Sequence, residues 1–251
     1  MIANNPYPDE VVCAAESLKM LDVAFTGIDH VGLAACRERG VTVCNAANYS
    51  NQTVAELAIG LTIGLLRHML PADRAVREGK TSAGLMGREI AGRTVGIVGT
   101  GRIGMITAKL FQAFGAKVIA YSRTHRPEAE ALGIRYVELD ELMRESDIVS
   151  LHVPNNANTC GMIGRAQIDA MKPTALLINC ARGPIVDAAA LADALNEGRI
   201  AGTGIDVFDC EPPIPADNPL VNAKNALLTP HVAFLSEESM QRRAEIVFQN
   251  L

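Results

Sequence analysis

The sequence predicts an α/β fold, a doubly wound parallel sheet with helices on both faces. Three observations lead there. Residues 94–124 read as an apolar run, a glycine turn, a helix and a second apolar run. Further along, short and nearly continuous apolar runs (147–151, 175–179, 202–207, 226–228) alternate with helical patterns. Such runs suit strands covered on both faces, as in an all-parallel sheet. Finally, 251 residues with 49% hydrophobic content can fill the cores of one or two domains.

The bulk numbers also exclude. A net charge of −5 argues against nucleic acid or an anionic membrane as the main partner. Met1 to Glu10 is polar and carries no leader pattern, so the expected setting is cytoplasmic. The most apolar stretch, Leu57 to Leu70, is too short for a membrane span and contains Arg67 and His68. The cysteines at 13, 36, 44, 160, 180 and 210 form no CxxC, which predicts reduced thiols. No His/Cys/Glu spacing points to a metal.

Taken in order, Asp9 to Ser17 reads as a helix behind Pro8, and Met20 to Phe25 as a strand that ends at Thr26-Gly27-Ile28-Asp29-His30. Gly32 to Arg39 is a short helix closed by Gly40, and Val41 to Val43 a further strand. With about three strands, residues 1–50 are too little for a closed domain. Asn51 to Leu70 is the longest helix. It is apolar almost all round, which predicts burial between domains or subunits. Gly60 and Gly64, four apart, would allow close backbone approach. Pro71 to Gly79 continues as another helix.

The stretch Thr94-Val95-Gly96-Ile97-Val98 is a strand that breaks into Gly99-Thr100-Gly101-Arg102-Ile103-Gly104. A helix runs to Phe114, Gly115 stops it, and Val118 to Tyr121 is the next strand. This βαβ unit is a dinucleotide-binding signature. Gly99 permits the tight turn, Gly101 lets a pyrophosphate approach the backbone, and Gly104 allows the helix to pack on the sheet. The helix N-terminus, near Arg102 and Ile103, offers N–H groups to phosphate. After the second strand, an NAD site usually has an acid for the ribose 2′-OH. Here the chain reads Ser122-Arg123-Thr124-His125-Arg126, which has no carboxylate but two arginines and two hydroxyls. Arginine grips phosphate well, so NADP(H) is favoured and NAD(H) is possible.

Beyond it, Ile134 to Val137 is a strand and Leu139 to Arg144 a helix. The strand Asp147 to Leu151 ends at His152-Val153-Pro154, and Ala175 to Asn179 ends at Cys180-Ala181-Arg182-Gly183. Asp187 caps a helix to Asn196, Gly202 to Val207 and Ala226 to Leu228 are the last strands, and Ser236 caps a closing helix, 237–250. Ligands of open α/β sheets bind beyond the carboxyl ends of the strands. Arg182, Glu211 and His231 all sit just past such ends. Singly they could be a helix-flanking charge, a solvated loop acid and a turn histidine. Together they supply a carboxylate clamp, an acid/base and a carboxylate to hold it, which suits a hydroxy-acid site.

With these residues in view, the sequence resembles the D-isomer-specific 2-hydroxyacid dehydrogenase family, which includes phosphoglycerate dehydrogenases and glyoxylate/hydroxypyruvate reductases. The resemblance runs through FTGIDHV (25–31), ANYSNQTVAELAIG (47–60), VGIVGTGRIG (95–104), LHVP (151–154), INCARGPIVD (178–187), GIDVFDCEPP (204–213) and TPH (229–231). It implies an oxidoreductase that moves a hydride between NAD(P)H and C2 of a small 2-keto or D-2-hydroxy acid. Arg182 would anchor the substrate, His231 would be the acid/base, and Glu211 would orient it. Backbone N–H groups near Thr26 and Gly27 would take the substrate carboxylate. Asp206, Cys180 and Ala181 would face the nicotinamide, and Val153 and Pro154 would lie along the cofactor.

The resemblance also implies a Rossmann domain over 51–235, a partial flavodoxin-like substrate domain made of 1–50 completed by 236–251, and a homodimer. Three departures stand out. Family members normally carry more βα units ahead of this segment and a longer C-terminal helix, so part of the substrate domain is expected to be missing. Ser122 replaces the usual acid, and Ala233-Phe234 stands where many members are glycine-rich. The alternatives are a dinucleotide-sensing, corepressor-like binding protein and a catalytically impaired fragment.

Overall fold

A computed structural model describes residues 1–2, 5–210 and 213–251. In chain order its elements are α1 (Asp9–Ala14), β1 (Met20–Val23), α2 (Leu33–Glu38), β2 (Thr42–Asn45), α3 (Asn51–Leu66), α4 (Met69–Arg77) and β3 (Thr94–Val98). There follow α5 (Arg102–Ala113), β4 (Lys117–Tyr121), α6 (Pro127–Ala131), β5 (Arg135–Tyr136), α7 (Leu139–Glu145) and β6 (Ile148–Leu151). The last are α8 (Arg165–Asp169), β7 (Leu176–Asn179), a 3₁₀ turn (Gly183–Ile185), α9 (Ala188–Asn196), β8 (Gly202–Ile205), β9 (Ala226–Leu228) and α10 (Glu237–Asn250). The chain divides into two compact units, Met1–Thr53 with Phe234–Leu251, and Val54–Ala233.

The second unit is built on seven parallel strands in the order β5-β4-β3-β6-β7-β8-β9. The chain winds outward from β3 through β4 to β5, then returns to β6 on the other side of β3. That reversal is the switch point of a doubly wound sheet, and it opens a crevice at the carboxyl ends of β3 and β6. β6, β7 and β8 are buried along their whole length, as strands with cores on both faces must be. On one face Leu151, Leu177, Leu191 and Ile205 share a cluster; on the other Val95, Ile97, Phe111 and Ile178 do.

The long apolar helix departs from expectation in its length. It ends at Leu66 rather than Leu70, because His68 takes a left-handed conformation (φ 51°) and α4 starts afresh at Met69. Its apolar side chains also line the core of the sheet. Val54, Ala58, Ile59, Leu61 and Leu66 pack into the same core as Val95, Ile97, Leu176 and Ile178. A Cβ on Gly64 would lie 2.9 Å from the Leu227 side chain, so the glycine lets the helix sit close on the sheet. No single helix among the described residues is long and apolar enough to cross a membrane.

The first unit contains one pair of parallel strands, β1 with β2, where about three strands were expected. Its core gathers Val12, Leu21, Val23, Val31, Ala35, Cys36 and Val41. Arg39 binds the chain end of α1 by donating to the carbonyls of Ala15 (3.0 Å) and Glu16 (2.9 Å). Ser236 and Ser239 form a reciprocal capping box at the start of α10. Phe234, where many members are glycine-rich, packs its ring edge-on against Phe25 at 4.9 Å. Phe25, Tyr49 and Phe234 thus form an aromatic cluster, with Arg243 over the Phe25 ring at 5.3 Å.

Candidate active site

The glycine turn separates two physical roles. At Gly99 (φ 99°) a Cβ would lie 2.6 Å from the His152 carbonyl oxygen, and at Gly104 it would strike the Gly99 carbonyl. Both glycines are therefore demanded by the packing of the turn itself. Gly101 differs: nothing lies within 4 Å of where its Cβ would stand, and its φ of −68° is open to any residue. Glycine there keeps space open above the backbone. Just beyond, α5 begins with no side-chain cap, leaving the N–H groups of Arg102 and Ile103 at the positive end of a twelve-residue helix. These residues fit the pyrophosphate of a dinucleotide.

Two neighbours hold the turn. The Gly99 N–H donates to the Tyr121 carbonyl (2.7 Å), which joins it to the end of β4, and the His152 N–H donates to the Val98 carbonyl (2.8 Å). The His152 ring pairs with the buried Ser150 hydroxyl at 2.9 Å. Burial pushes its pKa down to about 4, so the imidazole is neutral at ordinary pH. Val153 presses on Gly99 from the same side, and the Pro154 carbonyl accepts from Thr159 Oγ1 at 2.5 Å. At the end of β4, Ser122 is half-buried while Arg123, Thr124 and Arg126 are exposed.

Arg182, Asp206 and His231 follow three adjacent strands, β7, β8 and β9, and backbone bonds join the three ends. The Asp206 N–H donates to Asn179 (3.0 Å), the Thr229 N–H to Ile205 (2.9 Å), and the His231 N–H to the Asp206 carbonyl (2.8 Å). Asn179, 1% exposed, shapes the Arg182 loop: its Nδ2 donates to the Arg182 carbonyl (2.9 Å) and its Oδ1 accepts from the Ala181 N–H (3.0 Å). Gly183 brings that loop against the next one, since a Cβ there would overlap the Phe208 backbone. Cys180 is buried, and its thiol pKa is pushed well up, first by burial and then by the charge of Asp206, so it stays a neutral lining group.

Asp206 is fully buried, and its carboxylate is committed to the His231 turn. Oδ1 accepts from Thr229 Oγ1 (2.5 Å) and the Val232 N–H (2.9 Å), and Oδ2 accepts from the Ala233 N–H (2.9 Å). Burial raises its pKa, against which those three bonds and the charge of His231 work. The turn needs this support because His231 itself is left-handed (φ 52°), an unusual state for a residue with a Cβ. The resemblance implies a nicotinamide contact for Asp206; in the structure its carboxylate fixes the backbone that carries His231. Asn179 carried a signal too, as a lone amide closing an apolar run, but that pattern alone does not say what the amide binds.

Thr26 and Gly27 lie in the first unit, just past β1, where the Thr26 carbonyl accepts from Asn45 Nδ2 at 2.7 Å. Glu211 lies outside the described residues. Among the described residues, no group of three His, Cys, Asp or Glu side chains is placed to hold a metal.

Comparison with known proteins decides the family. Residues 59–233 match the model of the D-isomer specific 2-hydroxyacid dehydrogenase, NAD binding domain. The chain belongs to that family. It is therefore one of the NAD(P)-dependent oxidoreductases that act on the CH–OH group of D-2-hydroxy acids. Over its whole length it is 41% identical to a glyoxylate reductase of Korarchaeum cryptofilum, of which it covers 77%. Among solved structures, the D-lactate dehydrogenase of Aquifex aeolicus, complexed with NAD and lactic acid, superposes with a TM-score of 0.92 at 32% identity; the match covers 99% of this chain and 80% of that one. An acyclic imino acid reductase in complex with NADPH and D-Arg matches equally well (TM-score 0.92, 32% identity, 99% and 80% coverage). Relatives of this dehydrogenase thus bind either dinucleotide.

Proposed function

We propose that this dehydrogenase interconverts a small 2-keto acid and its D-2-hydroxy acid, with NADP(H) preferred. The observation that carries the reading is the hydrogen-bonded arrangement of three strand ends that holds Arg182, Asp206 and His231 together in the unit that bears the glycine turn. The bound nicotinamide would supply or accept the hydride at C2. His231 donates a proton to the developing alkoxide in reduction and takes it back in oxidation. Arg182 stabilises the oxygen charge and fixes substrate orientation through its planar donors. The resemblance assigns Glu211 to orient His231, and the backbone of Thr26 and Gly27 to the substrate carboxylate. Cys180 and Ala181 line the ring, with Val153 and Pro154 along the dinucleotide.

The preference for NADP(H) rests on the loop after β4, where Ser122, Arg123, Thr124 and Arg126 stand without a carboxylate. A ribose 2′-OH would find no acid there, whereas a 2′-phosphate would find two guanidiniums. Glyoxylate, the substrate named for the Korarchaeum relative, heads the substrates to try. Six free thiols accord with a reducing, cytoplasmic setting.

The test is oxidation of NADPH and of NADH with glyoxylate, hydroxypyruvate and pyruvate. We expect turnover with at least one acid, and a higher kcat/KM for NADPH. His231→Gln should lower kcat by about a thousandfold while cofactor affinity stays within about twofold. Cofactor binding without turnover on any acid would support a sensor instead, and joint loss of binding and turnover in His231→Gln would make His231 structural.

A further inference from the structure

Tyr136 is the hub of a hydrogen-bonded chain. It stands on β5, the edge strand paired with β4. The Arg126 N–H donates to its phenolic oxygen at 3.0 Å, and its O–H donates to Thr100 Oγ1 at 2.9 Å. The Thr100 hydroxyl in turn reaches the Thr124 carbonyl at 3.5 Å, the outer limit of a hydrogen bond. The chain therefore starts and ends on residues 124–126 and passes through the glycine turn in between. The residue in that turn, Thr100, is 1% exposed, so its hydroxyl is committed inward. Meanwhile the Tyr136 ring stacks on His125, with centroids 4.0 Å apart and planes within 7° of parallel.

We propose that Tyr136 and Thr100 are the positioning pair that sets dinucleotide selectivity. They clip the loop of Arg123 and Arg126 to the pyrophosphate turn. The proposal rests on the reading of that loop as the 2′-phosphate grip. The two arginines are exposed and long, so on a free loop much of their attraction for phosphate would be offset by the entropy of ordering them. A backbone clipped at Thr124 and Arg126, with His125 held by stacking, removes part of that ordering in advance. Hydrogen bonds in series polarise one another, so the clip should act as one unit. NADH has no 2′-phosphate for the arginines to grip, so it should feel the clip far less.

The experiment measures Kd for NADPH and NADH, by nicotinamide fluorescence, in the wild type, Tyr136→Phe, Thr100→Val and the double variant. Tyr136→Phe keeps the ring and its stack but removes the hydroxyl; Thr100→Val keeps the shape but breaks the relay. Each should weaken NADPH about five- to tenfold, with the NADH Kd changed less than about twofold. The double variant should be no worse than either single one, the signature of a shared chain. At saturating NADPH, kcat should stay within about twofold, giving a KM effect without a kcat effect. If the wild type prefers NADPH but Tyr136→Phe weakens both cofactors equally, the inference fails and the cofactor reading stands. If the wild type binds NADH as tightly as NADPH, the reading of the loop fails and the inference with it. Additive losses in the double variant would also overturn it.

Discussion

At the scale of single residues, the three glycines of the turn look alike in a motif but differ in space. A methyl group on Gly104 would strike the Gly99 carbonyl, whereas one on Gly101 would meet nothing within 4 Å. The two alanine substitutions should therefore fail differently. Gly104→Ala forces backbone apart and should destabilise the fold by about 2 kcal/mol, visible as a lower Tm. Gly101→Ala should leave Tm within about 1 °C of wild type while weakening both dinucleotides about tenfold or more, because the methyl group fills the space a phosphate needs. A Tm loss in Gly101→Ala equal to that in Gly104→Ala would show that Gly101 is structural. The motif was legible in the sequence because packing of the turn demands glycine at 99 and 104, and a bound phosphate needs the space at 101. The work of Tyr136 and Thr100 was not. Their hydroxyls meet across 36 residues of sequence, and no local spacing encodes such a contact.

At the scale of elements, Asp147 shows how the strands are registered. It lies just before β6, exchanges backbone bonds with Thr94 and Leu176, and accepts from the Thr94 N–H (2.9 Å) and Lys172 Nζ (3.0 Å) on its side chain. One residue thus ties the starts of β3, β6 and β7. Burial pushes the Asp147 carboxyl up, but the Thr94 N–H and the Lys172 ammonium outweigh it and hold the pKa below its ordinary value. A carboxyl whose pKa is lowered on folding contributes stability above its unfolded pKa of about 3.9, and that contribution is lost as pH falls through the folded value. Lys172 is 37% exposed on its side chain, so solvent screening limits the pair to about 1 kcal/mol. Asp147→Asn should accordingly be less stable than wild type at pH 7, with the gap closing below about pH 4. Urea midpoints at pH 7 and pH 3.5 would show it; a gap independent of pH would mean that the charge contributes nothing. Most strands were readable because doubly covered strands are apolar throughout. The helices α6 and α8, of five residues each, were not anticipated: neither is long enough to show a helical period. The break at His68 was missed for another reason. A left-handed residue without glycine leaves no mark in an apolar pattern.

For the whole molecule, the strand order settles where chemistry can occur, and the second unit places Arg182, Asp206, His231 and the glycine turn at carboxyl ends of one sheet. It also moves the argument for a dimer. One side of the apolar helix α3, which suggested one, is packed on the sheet. The next helix is not: α4 has no buried residue, and Met69, Leu70 and Val76 are 56%, 60% and 76% exposed, with Met86 beyond it at 91%. Met69 and Val76 are seven residues apart and so share a helical face. Asp73, Arg74, Arg77 and Glu78 provide both signs of charge around them. Apolar side chains ringed by charges of both signs suit a two-fold interface, in which one surface meets its own copy. We propose that this surface pairs two copies of the chain. Light scattering after size exclusion should give twice the chain mass for the wild type and a single mass for Met69→Glu/Val76→Glu. Phe248→Glu, at another exposed apolar site (75%), should leave the mass unchanged. A monomeric wild type would sink the dimer; a double variant that stays dimeric would move the interface away from α4.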